Sequence, residues 1–315
     1  MTRHDYARER QDQPQVEEHE SQRTEALASV WTTGQRPSRT QRTGRYTPES
    51  MRHPGKMLPS IAAQVIEAFT RPGELVVDPM CGIGTTLVEA IHRGRDAIGV
   101  EYESEFTQLA LGNLLLAKKQ DATGTVKLCR GDGAAIATLF GDRRGQAALV
   151  LTSPPYGAST HGQVRSARDN GGGKIQKAHF RYAPSGSGRG NLAYRGLGEL
   201  LEGFGRILTG SAELLAPFGV VAVTVRPFRV NGELVDLPGM VAQTAEQAGL
   251  VLVDRFAALL AGVRDGGLVN RASFFQLVET RRARERGVPA CASAHEDLLV
   301  FQRATDLKRG VDDVE

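Results

Sequence analysis

Two short stretches of this chain combine residue types that suit chemistry. The first runs Glu74-Leu75-Val76-Val77-Asp78-Pro79-Met80-Cys81-Gly82-Ile83-Gly84-Thr85-Thr86. An apolar run ends in an acid and a proline, a glycine-spaced turn follows, and Leu87–Ile91 opens a helical pattern. This order predicts a buried parallel strand, a tight loop and a helix. Glycines at such a turn let the backbone approach a ligand closely, and the acid at the strand end can hold a cationic or hydroxyl group. The stretch lacks the regular G-x-G-x-x-G of a nicotinamide-binding turn. The second stretch is Ala148-Leu149-Val150-Leu151-Thr152-Ser153-Pro154-Pro155-Tyr156. Here an apolar strand runs straight into two prolines, neither of which can donate to a sheet ladder. Prolines fix the backbone and leave carbonyls without competing N–H groups, which suits hydrogen-bond acceptance by a rigid loop.

Together the two stretches resemble the amino-methyltransferases that act on DNA. Asp78-Pro79-x-Cys81-Gly82-x-Gly84-Thr85-Thr86 resembles that family's S-adenosylmethionine loop. Ser153-Pro154-Pro155-Tyr156 resembles its catalytic tetrapeptide, (Asn/Asp/Ser)-Pro-Pro-(Tyr/Phe). The resemblance covers roughly Tyr46 to Arg303 and extends to other segments. Arg52-His53-Pro54-Gly55-Lys56-Met57-Leu58-Pro59, ahead of a predicted helix over Ile61–Phe69, is similar to the segment that folds over the methionine part of the cofactor. Ala97–Glu101 reads as the second strand, and its acid stands about twenty residues past the glycine turn, where such folds hold a ribose diol. Lys127–Gly133 reads as the third strand, with Asp132 at the position that meets the adenine amino group in the family. The resemblance therefore implies S-adenosylmethionine as cofactor, with Asp78, Pro79, Cys81, Gly82, Gly84, Thr85, Glu101, Asp132, His53 and Lys56 as its binding set. It gives Cys81 no redox role.

The same resemblance implies a mechanism. Exocyclic amino groups are poor nucleophiles because their lone pair is delocalised into the ring. The Ser153 hydroxyl and the Pro154 carbonyl would accept hydrogen bonds from that group, Pro155 would stiffen the loop, and Tyr156 would stack on a base flipped out of the duplex. Serine at the first position leans toward N4 of cytosine. The alternatives are N6 of adenine, an RNA guanine-N2 enzyme with a related Asn-Pro-Pro-Tyr loop, and a non-catalytic DNA-binding subunit on the same scaffold. The last would be expected to show decayed motifs. A short polar N-terminus also offers little room for an RNA-binding domain.

These loops need a frame. Strand and helix signals alternate from about Pro48 through Gly133, which predicts a Rossmann-like class I methyltransferase fold: an α/β domain with a mostly parallel central sheet and helices on both faces. Further along, helices are expected over Leu197–Leu215 and Leu234–Ala248, the latter closed by Gly249. Strands are expected over Gly219–Val225, Leu250–Leu260 and His295–Arg303. A helix from Ser273 to Arg286 carries several arginines. Residues 1–45 are polar and read as a disordered tail, with a short helix over Thr24–Val30 and Trp31 docking on the domain. Residues 46–303 form the methyltransferase domain, and 304–315 read as a loose tail. Residues 157–196 break the pattern with glycine runs and many bases. Between Gly157 and Arg195 the only acid is Asp169, against Arg165, Arg168, Lys174, Lys177, Arg181 and Arg189 among others. Springing from the catalytic loop, this segment reads as a flap whose bases meet phosphates and whose aromatics stack on nucleobases.

Composition sets outer bounds. The chain has 315 residues and a net charge of +3, too mild by itself to signal nucleic-acid binding. It shows no apolar run of membrane-spanning length and no apolar leader at Met1, so a cytoplasmic protein is expected. Its three cysteines are scattered without zinc spacing and read as reduced thiols. The expected partner is DNA, with RNA as the alternative. A restriction or defence partner and the oligomeric state are not legible.

Overall fold

The computed structural model describes residues 28–156, 163–165, 176–178, 191–230, 232–272 and 274–312. In chain order the elements are β1 (Val30–Trp31), α1 (Ser38–Arg42), α2 (Pro59–Phe69), β2 (Leu75–Asp78), α3 (Thr85–His92), β3 (Asp96–Glu101), α4 (Ser104–Lys119), β4 (Val126–Arg130), α5 (Ile136–Leu139) and β5 (Ala147–Thr152). Then come β6 (Gln163–Arg165), β7 (Gln176–Ala178), α6 (Leu197–Ala212), β8 (Leu215–Val225), β9 (Phe228–Val230), β10 (Glu233–Val235) and α7 (Leu237–Gln247). The chain continues through β11 (Leu250–Leu259), β12 (Gly262–Arg264), β13 (Gly267–Val269), α8 (Phe274–Glu285), β14 (His295–Arg303) and α9 (Ala304–Asp312).

Eight strands form one sheet in the order β1-β11-β14-β8-β5-β2-β3-β4. All neighbours run parallel except β14, which is antiparallel to both β8 and β11. Alternation along the inner strands supplies both faces. Leu149 and Leu151 pack with Ile61, Leu87 and Ile91 from α2 and α3, whereas Val150 packs with Phe204, Leu208 and Val241 from α6 and α7. This is the Rossmann-like arrangement of class I methyltransferases. The chain leaves β2 toward β3 and β4, then returns to β5 on the other side of β2. The carboxyl ends of β2 and β5 therefore flank the point where strand order reverses, the usual place for a ligand in an open α/β sheet.

Three boundaries differ from the sequence-based expectation. The domain starts before residue 46. Val30 and Trp31 add a parallel edge strand to β11, and Trp31 is buried with its ring centroid 4.8 Å from that of Phe256. Gln41 and Arg42 are also buried. One large aromatic and one arginine anchor a segment whose average composition is polar. Thr24 to Leu27 lie outside the described residues. Second, Leu234 stands in the β9–β10 hairpin rather than in a helix. The helix starts at Leu237 because Asp236 caps it, accepting from the Gly239 N–H at 3.1 Å, and Pro238 suits a first turn. Third, residues expected as a loose tail form α9, held by buried Asp306, which accepts from Arg303 at 3.0 Å and from the Phe218 N–H at 3.2 Å. Gly249 follows α7 with φ +81°, the left-handed C-terminal cap read from the sequence.

Trp31→Ala should lower unfolding free energy by about 3 kcal/mol, the lower end for removing a buried aromatic. Urea titration of the full chain checks this. A loss under about 1 kcal/mol would put the N-terminal segment outside the cooperative unit. No helix among the described residues is long and apolar enough to cross a membrane.

Candidate functional site

The site is built where β2, β5 and β8 end side by side. Val77 pairs with Val150 in parallel register, so the next residues on each strand meet at the carboxyl edge. There the Thr152 hydroxyl donates to Asp78 Oδ1 at 3.0 Å, and the Met80 N–H donates to the same oxygen at 3.1 Å. Asp78 thus joins the glycine loop to the strand that carries Ser153. Burial pushes its carboxyl up to about 6, against the pull of these hydrogen bonds.

The glycine loop is pinned on both sides. The Cys81 N–H donates to the Val100 carbonyl at 2.9 Å, and the Gly84 N–H to the Cys81 carbonyl at 2.7 Å. Gly82 and Gly84 have φ of +55° and +77°, which only glycine adopts at little cost. Glu101, at the end of β3, accepts from the Gly82 N–H at 2.8 Å through Oε2 and from the Glu103 N–H at 2.8 Å through Oε1. Burial raises its carboxyl to about 7 despite those two bonds, with the Glu103 and Asp78 charges adding to the rise. Burial also raises the Cys81 thiol, keeping it an unreactive neutral group.

His53 closes over the loop. A Cβ at Gly82 would stand 3.0 Å from His53 Nε2, and the His53 ring meets Phe106 edge-on with centroids 4.2 Å apart. Burial, with the Lys56 charge in support, lowers His53 to about 3, so the ring is neutral. Lys56 lines the cavity, but its ammonium donates to its own loop, to the Met51 carbonyl at 3.2 Å and to the His53 carbonyl. Burial, then Arg42, lowers it to about 7. Arg42 is the residue that sequence reading missed here. It donates to the Met57 carbonyl and to the Thr85 hydroxyl at 3.5 Å, tying the loop to the start of α3. Nothing in the motif pattern marked it, because it lies in the segment read as a tail.

Asp132 is exposed at the cavity rim and caps the following turn, accepting from the Ala134 N–H at 2.9 Å. Its neighbour Gly133 packs against Pro79 so tightly that a Cβ would lie 2.4 Å from the Pro79 carbonyl oxygen. Ser153, Pro154, Pro155 and Tyr156 face the same cavity as Asp78, Pro79, Gly82, Thr85, Glu101 and Asp132. Its volume is about 450 Å³, within the range of small-molecule sites.

The far wall was not legible as a motif. Tyr156 meets Phe228 edge-on at 6.0 Å and 88°, and the Arg226 guanidinium carbon lies 5.5 Å from the Tyr156 ring centroid. Glu296 joins them because antiparallel β14 brings its first residues to the edge where β8 ends. Of the flap bases, Arg165 lies on β6 and Lys177 on β7, two short strands that pair antiparallel. Arg168, Lys174, Arg181 and Arg189 lie outside the described residues. The chain re-enters the site at Asn191, whose amide donates to Glu103 Oε1 at 2.9 Å.

Comparison with known proteins finds similarity over part of the chain. A family model described as DNA methylase matches residues 2–112. A tRNA (guanine(10)-N2)-dimethyltransferase of Methanocaldococcus jannaschii is 32% identical over 111 residues, 34% of this chain and 31% of that protein. The DNA adenine methyltransferase YhdJ of Escherichia coli is 34% identical over 76 residues, 24% of this chain and 26% of that protein. The type II methyltransferase M.ScaI of Streptomyces caespitosus is 31% identical over 85 residues, 27% of each. The chain thus aligns with no more than 31% of the length of these curated relatives. The matched residues 2–112 supply the glycine loop, Glu101 and the loop of His53, and over that third of the chain the sequence is similar to the N6/N4 DNA methylase family model.

Proposed function

We propose that this chain transfers the methyl group of S-adenosylmethionine to the exocyclic amino group of a base in DNA, with N4 of cytosine as the target. The observation that carries the proposal is the Asp78–Thr152 hydrogen bond, which puts the glycine loop and Ser153-Pro154-Pro155-Tyr156 on one cavity.

The cavity suits the cofactor. Gly82 lines the cavity with no Cβ while Gly84 turns the loop behind it against Ala110, Glu101 offers a buried carboxylate for the ribose hydroxyls, and Asp132 stands at the rim for the adenine amino group. Pro79, Cys81 and Thr85 shape the loop, and His53 with Lys56 forms the cover on the methionine side. When bound, S-adenosylmethionine supplies an electrophilic methyl group on sulfur. The protein's own part is positioning and electrostatics. The Ser153 hydroxyl and Pro154 carbonyl accept hydrogen bonds from the amino group, which draws its lone pair out of conjugation with the ring. Tyr156 offers its face to the base. Flipping a base from the duplex costs a few kcal/mol, which phosphate contacts from Arg165, Arg168, Lys174, Lys177, Arg181 and Arg189 would offset.

The direct test is purified protein with S-adenosylmethionine and mixed-sequence DNA, followed by nucleoside mass spectrometry. N4-methylcytosine is expected, and N6-methyladenine alone would overturn the choice of base. A second reading, an RNA substrate, draws on the likeness to the Methanocaldococcus tRNA enzyme. Parallel incubation with tRNA separates the two, since transfer to tRNA guanine with none to DNA would replace the DNA reading.

Glu101 gives a pH prediction. Its carboxyl stands above the ordinary 4.5, at about 7, and only the ionised form accepts at both oxygens. Holding the cofactor should therefore require loss of this proton. Affinity for S-adenosylmethionine should rise about tenfold from pH 6 to pH 8, about fivefold of it by pH 7, and flatten above pH 8. Calorimetry across that window checks it, and a level profile would remove Glu101 from the binding set.

A further inference from the structure

One charged side chain on the cavity wall has no part in the scheme above. Arg226 leaves the sheet directly after β8. Because Thr152 pairs with Val223 in parallel register, β5 and β8 end side by side, and Ser153–Tyr156 and Arg226 emerge from adjacent strands. Asp297 on β14 pairs with Val225, so Glu296 stands across from Arg226 at the same edge. Arg226 and Glu296 both line the cavity that holds the Ser-Pro-Pro-Tyr loop. The Arg226 guanidinium carbon is 5.5 Å from the Tyr156 ring centroid, and Phe228 braces that ring from its edge. Burial raises the Glu296 carboxyl, with the Arg226 charge opposing that rise. A planar group with five donors and no acceptor therefore faces the space beside the proposed amino-group acceptors.

We propose that Arg226 selects the target base by donating to O2 of a cytosine whose amino group lies against Ser153 and Pro154. This rests on the methyl-transfer reading above and names the residue that sets its substrate. The chemistry discriminates. Past the amino group, cytosine presents two acceptors in turn, N3 and O2. Adenine presents N1 and then a C–H, which would leave a guanidinium donor facing carbon in a partly desolvated wall. A site built to hydrogen-bond a substrate atom rejects the analogue that lacks it far more strongly than an apolar pocket can. The position over Tyr156 supplies the rest, because a guanidinium resting on an aromatic ring loses less freedom when it donates.

The test is a two-by-two comparison at a mapped methylation site. One oligonucleotide carries cytosine. The other carries a 2-aminopyridine C-nucleoside, which keeps the amino group and the adjacent ring nitrogen but lacks O2. Wild type should prefer cytosine in kcat/KM by roughly thirtyfold, within the order expected for one lost hydrogen bond to a charged donor. In Arg226→Met the preference should fall below about threefold, with S-adenosylmethionine affinity unchanged by calorimetry. Arg226→Gln, similar in length and still a donor, should keep an intermediate preference, and it serves if the methionine variant does not fold. A variant that slows both substrates equally would make Arg226 a prop for Tyr156 and overturn the proposal, as would an undiminished preference. Wild type that transfers to no cytosine at all would instead overturn the parent reading, and this one with it.

Discussion

Ser153→Ala is expected to slow methyl transfer to DNA about a hundredfold, the order seen when one preorganised hydrogen-bonding group is removed from a reacting centre. Affinity for S-adenosylmethionine should stay within about twofold. The separation follows from the structure. Ser153 belongs to the loop after β5, whereas the loop proposed to hold the cofactor is fixed by Glu101, by the Val100 carbonyl and by Asp78. The anchoring bond between the two loops comes from Thr152, which the variant keeps. The Pro154 carbonyl also remains, so some transfer should persist. Single-turnover rates with saturating cofactor, alongside calorimetry, check both halves. Equal rates in the variant and the parent would take Ser153 out of the chemistry.

Gly82→Val should have the opposite signature, with cofactor affinity falling about a hundredfold while the protein stays folded. A β-branched residue at φ +55° meets left-handed strain of about 1–2 kcal/mol. Its Cβ would also stand 3.0 Å from His53 Nε2. That ring is buried against Phe106 and cannot swing away freely, so overlap adds on the order of 1–3 kcal/mol. The strain falls on the loop between β2 and α3 rather than on the sheet, which should preserve the fold. Circular dichroism and calorimetry test the two claims. Parent-like affinity in the variant would mean that the glycine loop is not the cofactor site.

Much of this architecture is legible in the sequence, because burial on two faces leaves a simple trace. A short apolar run ending in Asp78-Pro79 and a glycine turn is read as strand, loop and helix, and β2 and α3 stand there. His295–Arg303 is read with its exact bounds, since an inner strand of continuous apolar residues admits few alternatives. The misread places share a cause. Trp31 docks as expected, but the edge strand it belongs to and the buried Arg42 take their places from β11 and from the loop of Met57, distant partners that local composition does not announce. Leu234 looks helical until Asp236 and Pro238 are weighed as a start signal. Arg226 and Glu296 come from different strands, and they meet only because β14 runs against β8, a pairing that no local pattern encodes. Motifs thus report the loops where chain neighbours act together, and they miss walls assembled across the sheet.

Asn191 carries one more consequence. Its amide holds Glu103, the Glu103 N–H holds Glu101, and Glu101 holds the Gly82 N–H. The point where the basic segment rejoins the domain is therefore three hydrogen bonds from the glycine turn. Any polynucleotide that shifts Asn191 perturbs this relay. Thermodynamic reciprocity then requires that the methyl donor tighten or loosen the protein's grip on the strand by the same factor that the strand alters its grip on the donor. The affinities of the two ligands are in this way coupled through a short chain of acids and amides, and Asn191→Ala should uncouple them while leaving each able to bind alone, as calorimetry of each ligand with and without the other checks.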